Sequence, residues 1–293
     1  MNRPLRTLTS FRYLPLLVTG LAIVGAGFTI ALLAVGISDG QFPIPGADYF
    51  YVFDPVGDAV RSGVDPYTIT DNARIEFFYA PPWAFAFATI SWLPPLAGHL
   101  LVAGLEMFAL RYIVGSWRVV GIVSLCPLLA FELALGNINL IIGALIVAAV
   151  RGNVWAGLAG AAAKLSPILA IAPSRAVIRP ALVAIALCIP WGPSWIAALI
   201  AQLRPADVTH AIGGAQIPVP FVVRGAIAVA LLFVRRPWAR GTAAIIAIPA
   251  FYYQTLLLLV VPLALIRDAL TARRPRATEH AATADPVLLA AGR

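Results

Sequence analysis

Long apolar runs separated by small groups of arginines are the feature that most limits how this chain can fold. The runs cover roughly residues 13–37, 80–114, 119–150, 153–173, 180–201, 218–234 and 241–266. About 20 helical residues are needed to cross a bilayer. The chain is 61% hydrophobic and only 12% charged, whereas soluble domains carry about 25% charged residues. These features predict a polytopic membrane protein.

The arginines lie mainly at the ends of the apolar runs. They stand at positions 3, 6 and 12, at 111 and 118, at 151, at 175 and 179, at 235, 236 and 240, and at 267, 273, 274 and 276. Because cytoplasmic flanks of membrane helices are rich in basic residues, the net charge of +8 indicates cytoplasmic flanks and not a nucleic-acid-binding domain. We therefore predict a cytoplasmic N-terminus (1–12), an integral membrane domain (13–267) and a cytoplasmic, disordered tail (268–293).

Three of the runs must then leave the cytoplasmic side and return to it. Their predicted turns are GNIN (136–139), KLSP (164–167) and IPAFYYQ (248–254). The arms of the last two hairpins are too short to cross alone, so we expect broken or re-entrant helices there. An alternative places Lys164 midway along one complete span. The expected fold is an all-α bundle of about 8–10 transmembrane or re-entrant helices.

Residues 38–79 form the largest polar stretch and are the predicted first extracytoplasmic loop. Seven of the thirteen acidic residues lie here: Asp39, Asp48, Asp54, Asp58, Asp65, Asp71 and Glu76. A loop outside the cytoplasm that avoids positive charge would also be acidic. However, aromatic residues lie among the acids, and aromatic faces beside carboxylates suit a sugar ring. Tyr51 and Tyr79 are our aromatic candidates for sugar or acceptor binding. Residues 54–60 are expected to form a short helix that ends at Gly63.

Lys164 is the only lysine among 21 basic residues and lies within an apolar run. A lysine near a helix end can extend its ammonium to the lipid headgroups. Ionisable groups inside membrane segments more often mark a substrate path or a pairing partner. Since an ammonium is a compact point charge well suited to phosphate, we predict that Lys164 binds a lipid phosphate.

Other polar residues carry weaker predictions. Asn137 and Asn139 could donate hydrogen bonds to sugar hydroxyls or merely cap a helix. Glu106 and Glu132 lie within apolar segments, where pairing with arginine would explain them, and we assign them no role. His99 is expected to be structural, whereas His210, in the polar stretch 202–217, could bind or assist. No cofactor or metal is expected, because no nucleotide-binding or zinc-binding motif is present and the two cysteines lie in apolar runs.

Four segments together resemble the polyprenyl-phosphate-mannose-dependent α-mannosyltransferases of glycosyltransferase family 87, which have the GT-C membrane fold. They are SGVDPY (62–67), FYAPP (78–82), GNINLIIGALIVAAV (136–150) and RGNVWAGLAGAAAKLSPILAIAP (151–173). The resemblance covers roughly residues 13–266, and the order and spacing of the last two segments are its most specific part. It implies a GT-C-like bundle that transfers a sugar with inversion on the extracytoplasmic side of the cell membrane.

The resemblance also implies roles for particular residues. The general base falls on Asp48, with Asp54 in reserve, and Lys164 would stabilise the departing lipid phosphate. The partners would be a polyprenyl-phosphate sugar donor, most simply mannose, and a glycolipid or glycan acceptor in cell-envelope lipoglycan synthesis. In place of a serine-tryptophan-x-histidine element this chain has PAFYYQ (249–254), so Gln254 stands where the family histidine is expected. The alternative is a non-enzymatic membrane protein, such as a flippase for lipid-linked sugars or an assembly scaffold.

Overall fold

The computed structural model describes residues 46–69, 77–203, 219–249 and 253–272, and every regular element in these ranges is helical. A π-helical turn, Tyr49–Phe53, runs directly into the first α-helix. The α-helices are α1 (Asp54–Arg61), α2 (Pro81–Ala88), α3 (Pro95–Val114), α4 (Trp117–Val123), α5 (Pro127–Leu135), α6 (Asn139–Val150), α7 (Val154–Lys164), α8 (Ile178–Cys188), α9 (Gly192–Leu203), α10 (Phe221–Leu232), α11 (Pro237–Ile246) and α12 (Val260–Ala272). Two 3₁₀ helices, Ser166–Ala170 and Tyr253–Leu259, also shape the site. The all-α prediction is confirmed for these residues.

Several predictions fall outside the described residues. They concern the N-terminus and first apolar run, most of the tail, part of the acidic loop, and His210. Inside the described part of that loop, the short helix predicted over 54–60 is present as α1. It is followed by Gly63 with φ 71°, a conformation that glycine adopts without steric cost.

Helix α6 lies at the centre of the packing. Its neighbours are α3, α7, α11, α12 and the 3₁₀ helix Tyr253–Leu259. Leu140, Ile142 and Ile146 on this helix are fully buried, as expected for a helix that is apolar on all sides. Gly143 allows close approach, because a Cβ there would lie 2.8 Å from Leu258 Cδ2. The surrounding core therefore holds the polar residues at the start of α6 in a fixed place.

Three helical stretches within the described residues are long and apolar enough to cross a membrane. They are Pro95–Val114 (α3), Arg175–Ile200 (α8 with most of α9) and Gln254–Ala272 (the second 3₁₀ helix with α12). Helices α4 and α5 would form a fourth crossing if taken as one span, although they are bent by 92°. None of the apolar 18-residue segment within Arg175–Ile200 is buried inside the protein. An apolar environment such as lipid would cover its exposed apolar side chains. The number of eight to ten membrane segments stays a prediction.

The chain turns at the first two places that the sequence indicated, and residues 250–252 of the third lie outside the described residues. Helix α5 ends at Leu135, Gly136 adopts φ 72°, and α6 begins at Asn139. Helix α7 ends at Lys164, and Leu165 has the unusual φ of 52° before the 3₁₀ helix Ser166–Ala170. Residues 153–173 are therefore not one continuous helix with Lys164 at its middle. Helix α11 ends at Ile246, before the third turn.

Candidate functional site

The position of Asp48 is set by the residues on either side of it. The Gly46 N–H donates to Ala134 O at 2.5 Å, which ties this segment to the end of α5. Tyr49 is fully buried, and a Cβ on Gly136 would lie 2.7 Å from Tyr49 Cβ. His99 stacks on the Tyr49 ring with centroids 6.0 Å apart, and its Nε2 lies 2.9 Å from Leu133 O. These contacts place Asp48 beside the turn between α5 and α6.

Asn137 connects this turn to Asp48. Its Nδ2 donates to Asp48 Oδ2 at 2.6 Å, while its Oδ1 accepts from the Ile138 N–H at 2.7 Å. The second bond fixes which way the amide faces, because only its oxygen can accept from a backbone N–H. Asp48 Oδ1 makes no hydrogen bond to the residues that the structure describes. That oxygen is therefore the one that an incoming hydroxyl could use.

Asn139 connects the same turn to Lys164. The Lys164 ammonium donates to Asn139 Oδ1 at 2.6 Å. Asn139 is fully buried, so the ammonium reaches into the protein and not along the helix end toward headgroups. Lys164 also ends α7, where the partial negative charge of a helix C-terminus favours a cation. The two asparagines of GNIN thus hold the predicted base and the predicted phosphate ligand.

Two glutamates that we assigned no role complete this cluster. Glu132 accepts from the Asn139 backbone N–H at 3.0 Å and from Asn139 Nδ2 at 3.1 Å. Glu106 accepts from the backbone N–H groups of Leu140 at 3.0 Å and Ile141 at 2.8 Å. Both glutamates are fully buried. Pairing with arginine was the wrong explanation for them, since among the described residues their hydrogen bonds go to the start of α6.

These bonds also change the interpretation of the asparagines. The N-cap of α6 is Ile138, which has no side-chain cap. The free amides of the first turn are satisfied by Glu106 from α3 and Glu132 from α5, which suits the positive end of the helix dipole. Conventional N-capping therefore does not explain Asn137 or Asn139. Their side chains serve Asp48 and Lys164 instead.

The electrostatics of the cluster follow from its burial. Lys164 interacts electrostatically with Glu132, Asp48 and Glu106. Burial raises the pKa of Asp48 from its ordinary value of 3.8 to about 6, although the hydrogen bond from Asn137 and the charge of Lys164 both lower it. A carboxylate with a pKa near 6 is mostly ionised at neutral pH and is a better proton acceptor than an ordinary aspartate.

The FYAPP segment docks on α7, close to Lys164. The Ala80 N–H donates to Ala162 O at 2.7 Å, and Trp83 Nε1 donates to Ala159 O at 2.9 Å. The carbonyl of Tyr79 accepts from Tyr67 OH at 2.6 Å, which joins the SGVDPY segment to FYAPP. The Tyr79 ring packs against Phe53 and Phe77, with centroids 5.7 and 5.5 Å away. With the bond between Lys164 and Asn139, all four segments that carry the family resemblance are therefore linked by direct contacts.

The remaining candidates lie apart from the hydrogen-bonded cluster. The Tyr51 side chain is 41% exposed. Asp54, at the start of α1, has a buried Oδ1 without a hydrogen-bond partner among the described residues, and burial followed by the charge of Asp58 raises its pKa. Gln254 is buried in the 3₁₀ helix that packs on α5 and α6, and its Oε1 has no partner in the part of the chain that the structure describes. Within the described ranges no group of three or more His, Cys, Asp or Glu is placed to hold a metal ion.

The roles of Glu106 and Glu132 could not be predicted because three of their four hydrogen bonds come from backbone amides, which no residue letter reveals. The available signal was their presence inside apolar segments, where an uncompensated carboxylate is costly. Comparison of the chain with family models, with curated proteins and with solved structures finds no significant match. The resemblance to glycosyltransferase family 87 therefore depends on the four segments themselves.

Proposed function

We propose that this chain is an integral membrane glycosyltransferase that moves a sugar, most simply mannose, from a polyprenyl-phosphate donor to a glycolipid or glycan acceptor with inversion. The supporting observation is that the GNIN turn binds both reactive groups: Asn137 donates to Asp48 at 2.6 Å and Asn139 accepts from Lys164 at 2.6 Å. A general base and a cation for the leaving phosphate are the two groups that this reaction needs.

The reaction balances with these residues alone. The acceptor hydroxyl oxygen attacks the anomeric carbon while the bond from that carbon to the phosphate oxygen breaks. The hydroxyl proton passes to Asp48, through the Oδ1 that Asn137 leaves free. The departing polyprenyl phosphate gains one negative charge as it leaves, and the Lys164 ammonium stabilises that charge. Asp48 must be ionised beforehand, which its pKa of about 6 permits at neutral pH.

The proposal extends to GT-C-like architecture, a site on the extracytoplasmic side of the cell membrane and a role in envelope lipoglycan synthesis. The support for sidedness is the position of the cluster at the start of α6. The opposite end of that helix carries Arg151, bonded to Asp268 at 2.6 Å, and basic residues favour the cytoplasmic side. Twelve residues separate these ends, so the site lies roughly 18 Å from the arginine end.

The test is sugar transfer in membranes that contain the wild type, Asp48→Asn or Lys164→Ala, with radiolabelled polyprenyl-phosphate mannose and a native lipid extract. We expect wild-type transfer into a product whose anomeric configuration is opposite to that of the donor. Asp48→Asn should abolish transfer, and Lys164→Ala should weaken it with poorer donor binding. Asp58→Asn and Arg118→Ala are matched controls, because both residues are exposed and should leave transfer unchanged.

Two outcomes would redirect the proposal. Normal transfer by Asp48→Asn would move the base elsewhere, with Asp54 next to test. A folded wild type that transfers no sugar would favour the non-enzymatic alternative, a flippase for lipid-linked sugars or a scaffold. In that case a flipping assay in vesicles, with the same variants, would separate transport from assembly.

A further inference from the structure

Asn139 makes three hydrogen bonds, and together they leave its side chain only one orientation. The backbone N–H and Nδ2 both donate to Glu132, at 3.0 and 3.1 Å, and Oδ1 accepts from Lys164 at 2.6 Å. A carboxylate accepts but never donates, and an ammonium donates but never accepts. Glu132 therefore requires the amide NH₂ on its side, which turns the amide oxygen toward Lys164.

We propose that Glu132 is a positioning residue for donor-phosphate recognition, which sets the Lys164 ammonium through Asn139. The inference rests on the proposed function, since it takes Lys164 as the phosphate ligand. A lysine side chain is long and flexible, so it does not by itself determine where its ammonium lies. Held by one fixed acceptor, its ammonium keeps its other protons for a phosphate. Glu132, Asn139 and Lys164 then act as one unit.

The hydrogen bonds of the two buried glutamates support this inference over a general role in neutralising charge. Glu132 and Asn139 are both completely buried, with 0% of their surface accessible to solvent. A polar network of this kind stabilises a unique arrangement only when each member is satisfied. Glu106 provides the contrast: it is equally buried and also interacts electrostatically with Lys164, but its hydrogen bonds go to Leu140 and Ile141 and none goes to Asn139.

Glu132→Gln tests the unit with the smallest possible change. A glutamine presents one acceptor and one donor to the two Asn139 groups that both need acceptors, so one hydrogen bond is lost whichever way it faces. If the glutamine oxygen stays on the backbone N–H, Asn139 must rotate its NH₂ toward the ammonium. We expect the donor KM to rise roughly tenfold, with a smaller change in kcat, by analogy with residues that orient metal ligands, whose loss costs 10–100-fold in metal affinity or activity.

The decisive measurement is a double-mutant cycle on donor binding and transfer. Glu132→Gln combined with Lys164→Ala should lose no more than Lys164→Ala alone, because the positioned group is already gone. Asn139→Ala should weaken donor binding as Glu132→Gln does, and it too should add no loss to that of Lys164→Ala. Glu106→Gln is the matched control: it removes an equally buried acid near the same ammonium but no bond to Asn139, and any loss that it causes should simply add to that of Lys164→Ala. Additive losses for Glu132→Gln, or equal coupling for both glutamates, would overturn the positioning role.

A binding assay separates this inference from the proposed function and from misfolding. Polyprenyl phosphate without sugar is the probe, added to purified protein in lipid nanodiscs and measured by native mass spectrometry, with helicity checked by circular dichroism. Weaker binding by Glu132→Gln and Lys164→Ala, with helicity retained, supports the inference even if no sugar is transferred. Wild-type transfer that depends on Lys164, together with unchanged polyprenyl-phosphate binding by folded Glu132→Gln, contradicts the inference and leaves the transferase proposal intact.

Discussion

At its N-terminal end, helix α6 meets two carboxylates and an ammonium enclosed by protein, whereas at its C-terminal end Arg151 bonds to Asp268 near the surface. Glu106 and Glu132 are 0% exposed, but the Arg151 and Asp268 side chains are 38% and 36% exposed. At the second end Asp268 is also shared with Arg267, at 2.8 Å. The two ends of this helix thus have ionisable groups in two very different surroundings.

The difference shows where charge in this apolar chain needs an explanation. Exposed ion pairs contribute little and cost little, typically about 0–1 kcal/mol. Buried charges cost several kcal/mol unless each is paired and hydrogen-bonded, and an apolar replacement is often as stable. The arginine end can therefore be explained by topology and helix ends alone. The carboxylate end is explained better by a function that requires Asp48 and Lys164 to be held a short way apart.

The largest expected effect comes from removing the predicted base. Asp48→Asn keeps the size of the side chain and can still bond to Asn137 through its amide oxygen, but it cannot accept the acceptor's proton. We expect the transfer rate to fall by roughly 10²–10⁴, the usual contribution of a general base. Initial rates at saturating donor and acceptor measure it. A fall of similar size in Asp58→Asn, which changes an exposed acid on α1, would mean that the assay reports protein loss.

A smaller effect, on stability and not on chemistry, is expected at Glu106. Glu106→Gln leaves only one acceptor for the backbone amides of Leu140 and Ile141, so one buried N–H loses its partner. The free energy of unfolding should decrease by roughly 1–3 kcal/mol, the usual cost of a buried unsatisfied group. Thermal unfolding of the purified protein in detergent detects this as a lower Tm. Arg151→Gln is the counterpart at the other end of α6, and an equal decrease there would remove the contrast between the two ends.

The pH dependence of transfer should report the surroundings of Asp48. With its pKa raised to about 6 by burial, kcat/KM should fall about tenfold for each pH unit below that value, as the base is protonated. Asn137→Ala should move this acidic limb to higher pH, because the hydrogen bond from Asn137 lowers the pKa. An acidic limb near pH 4 in the wild type would mean that the base has an ordinary pKa, and that burial does not raise it.

Stability should change in the opposite direction over the same interval. The folded protein holds the Asp48 proton more tightly than the unfolded chain does, with a pKa of about 6 against an ordinary 3.8. This group's contribution to stability is therefore complete below the lower value and is lost as the pH rises through the higher one. Activity that increases with pH while the Tm decreases would be typical of a site that holds a base in unfavourable surroundings.

The helical class and the turns at 136–139 and 164–167 could be predicted from the sequence, because they depend on local chemistry. Four residues of the cluster were also among the candidates: Asp48, Asn137, Asn139 and Lys164. Lys164 was singled out because an ionisable group among apolar residues is costly without a partner. Asp48 was singled out because the family resemblance implied a general base at that position. Their roles in binding and catalysis stay predictions. The network that joins them could not be predicted, since Glu106 reaches amides 34 and 35 residues away and only packing brings α3 against α6. Asn139 looked like a helix cap for the same reason.

The smallest expected effect lies at the arginine end. Arg151→Ala removes the bond to Asp268 and the contact over the Tyr112 ring, whose centroid lies 5.3 Å from the guanidinium carbon. Asp268 keeps Arg267 as a partner, so the free energy of unfolding should decrease by no more than about 1 kcal/mol. That small loss should shrink further as salt is added, because exposed pairs are screened. The donor KM and the acidic limb should be unchanged. A shift in the donor KM or in the acidic limb would mean that the charge at one end of α6 affects the other end, and that the two ends do not act independently.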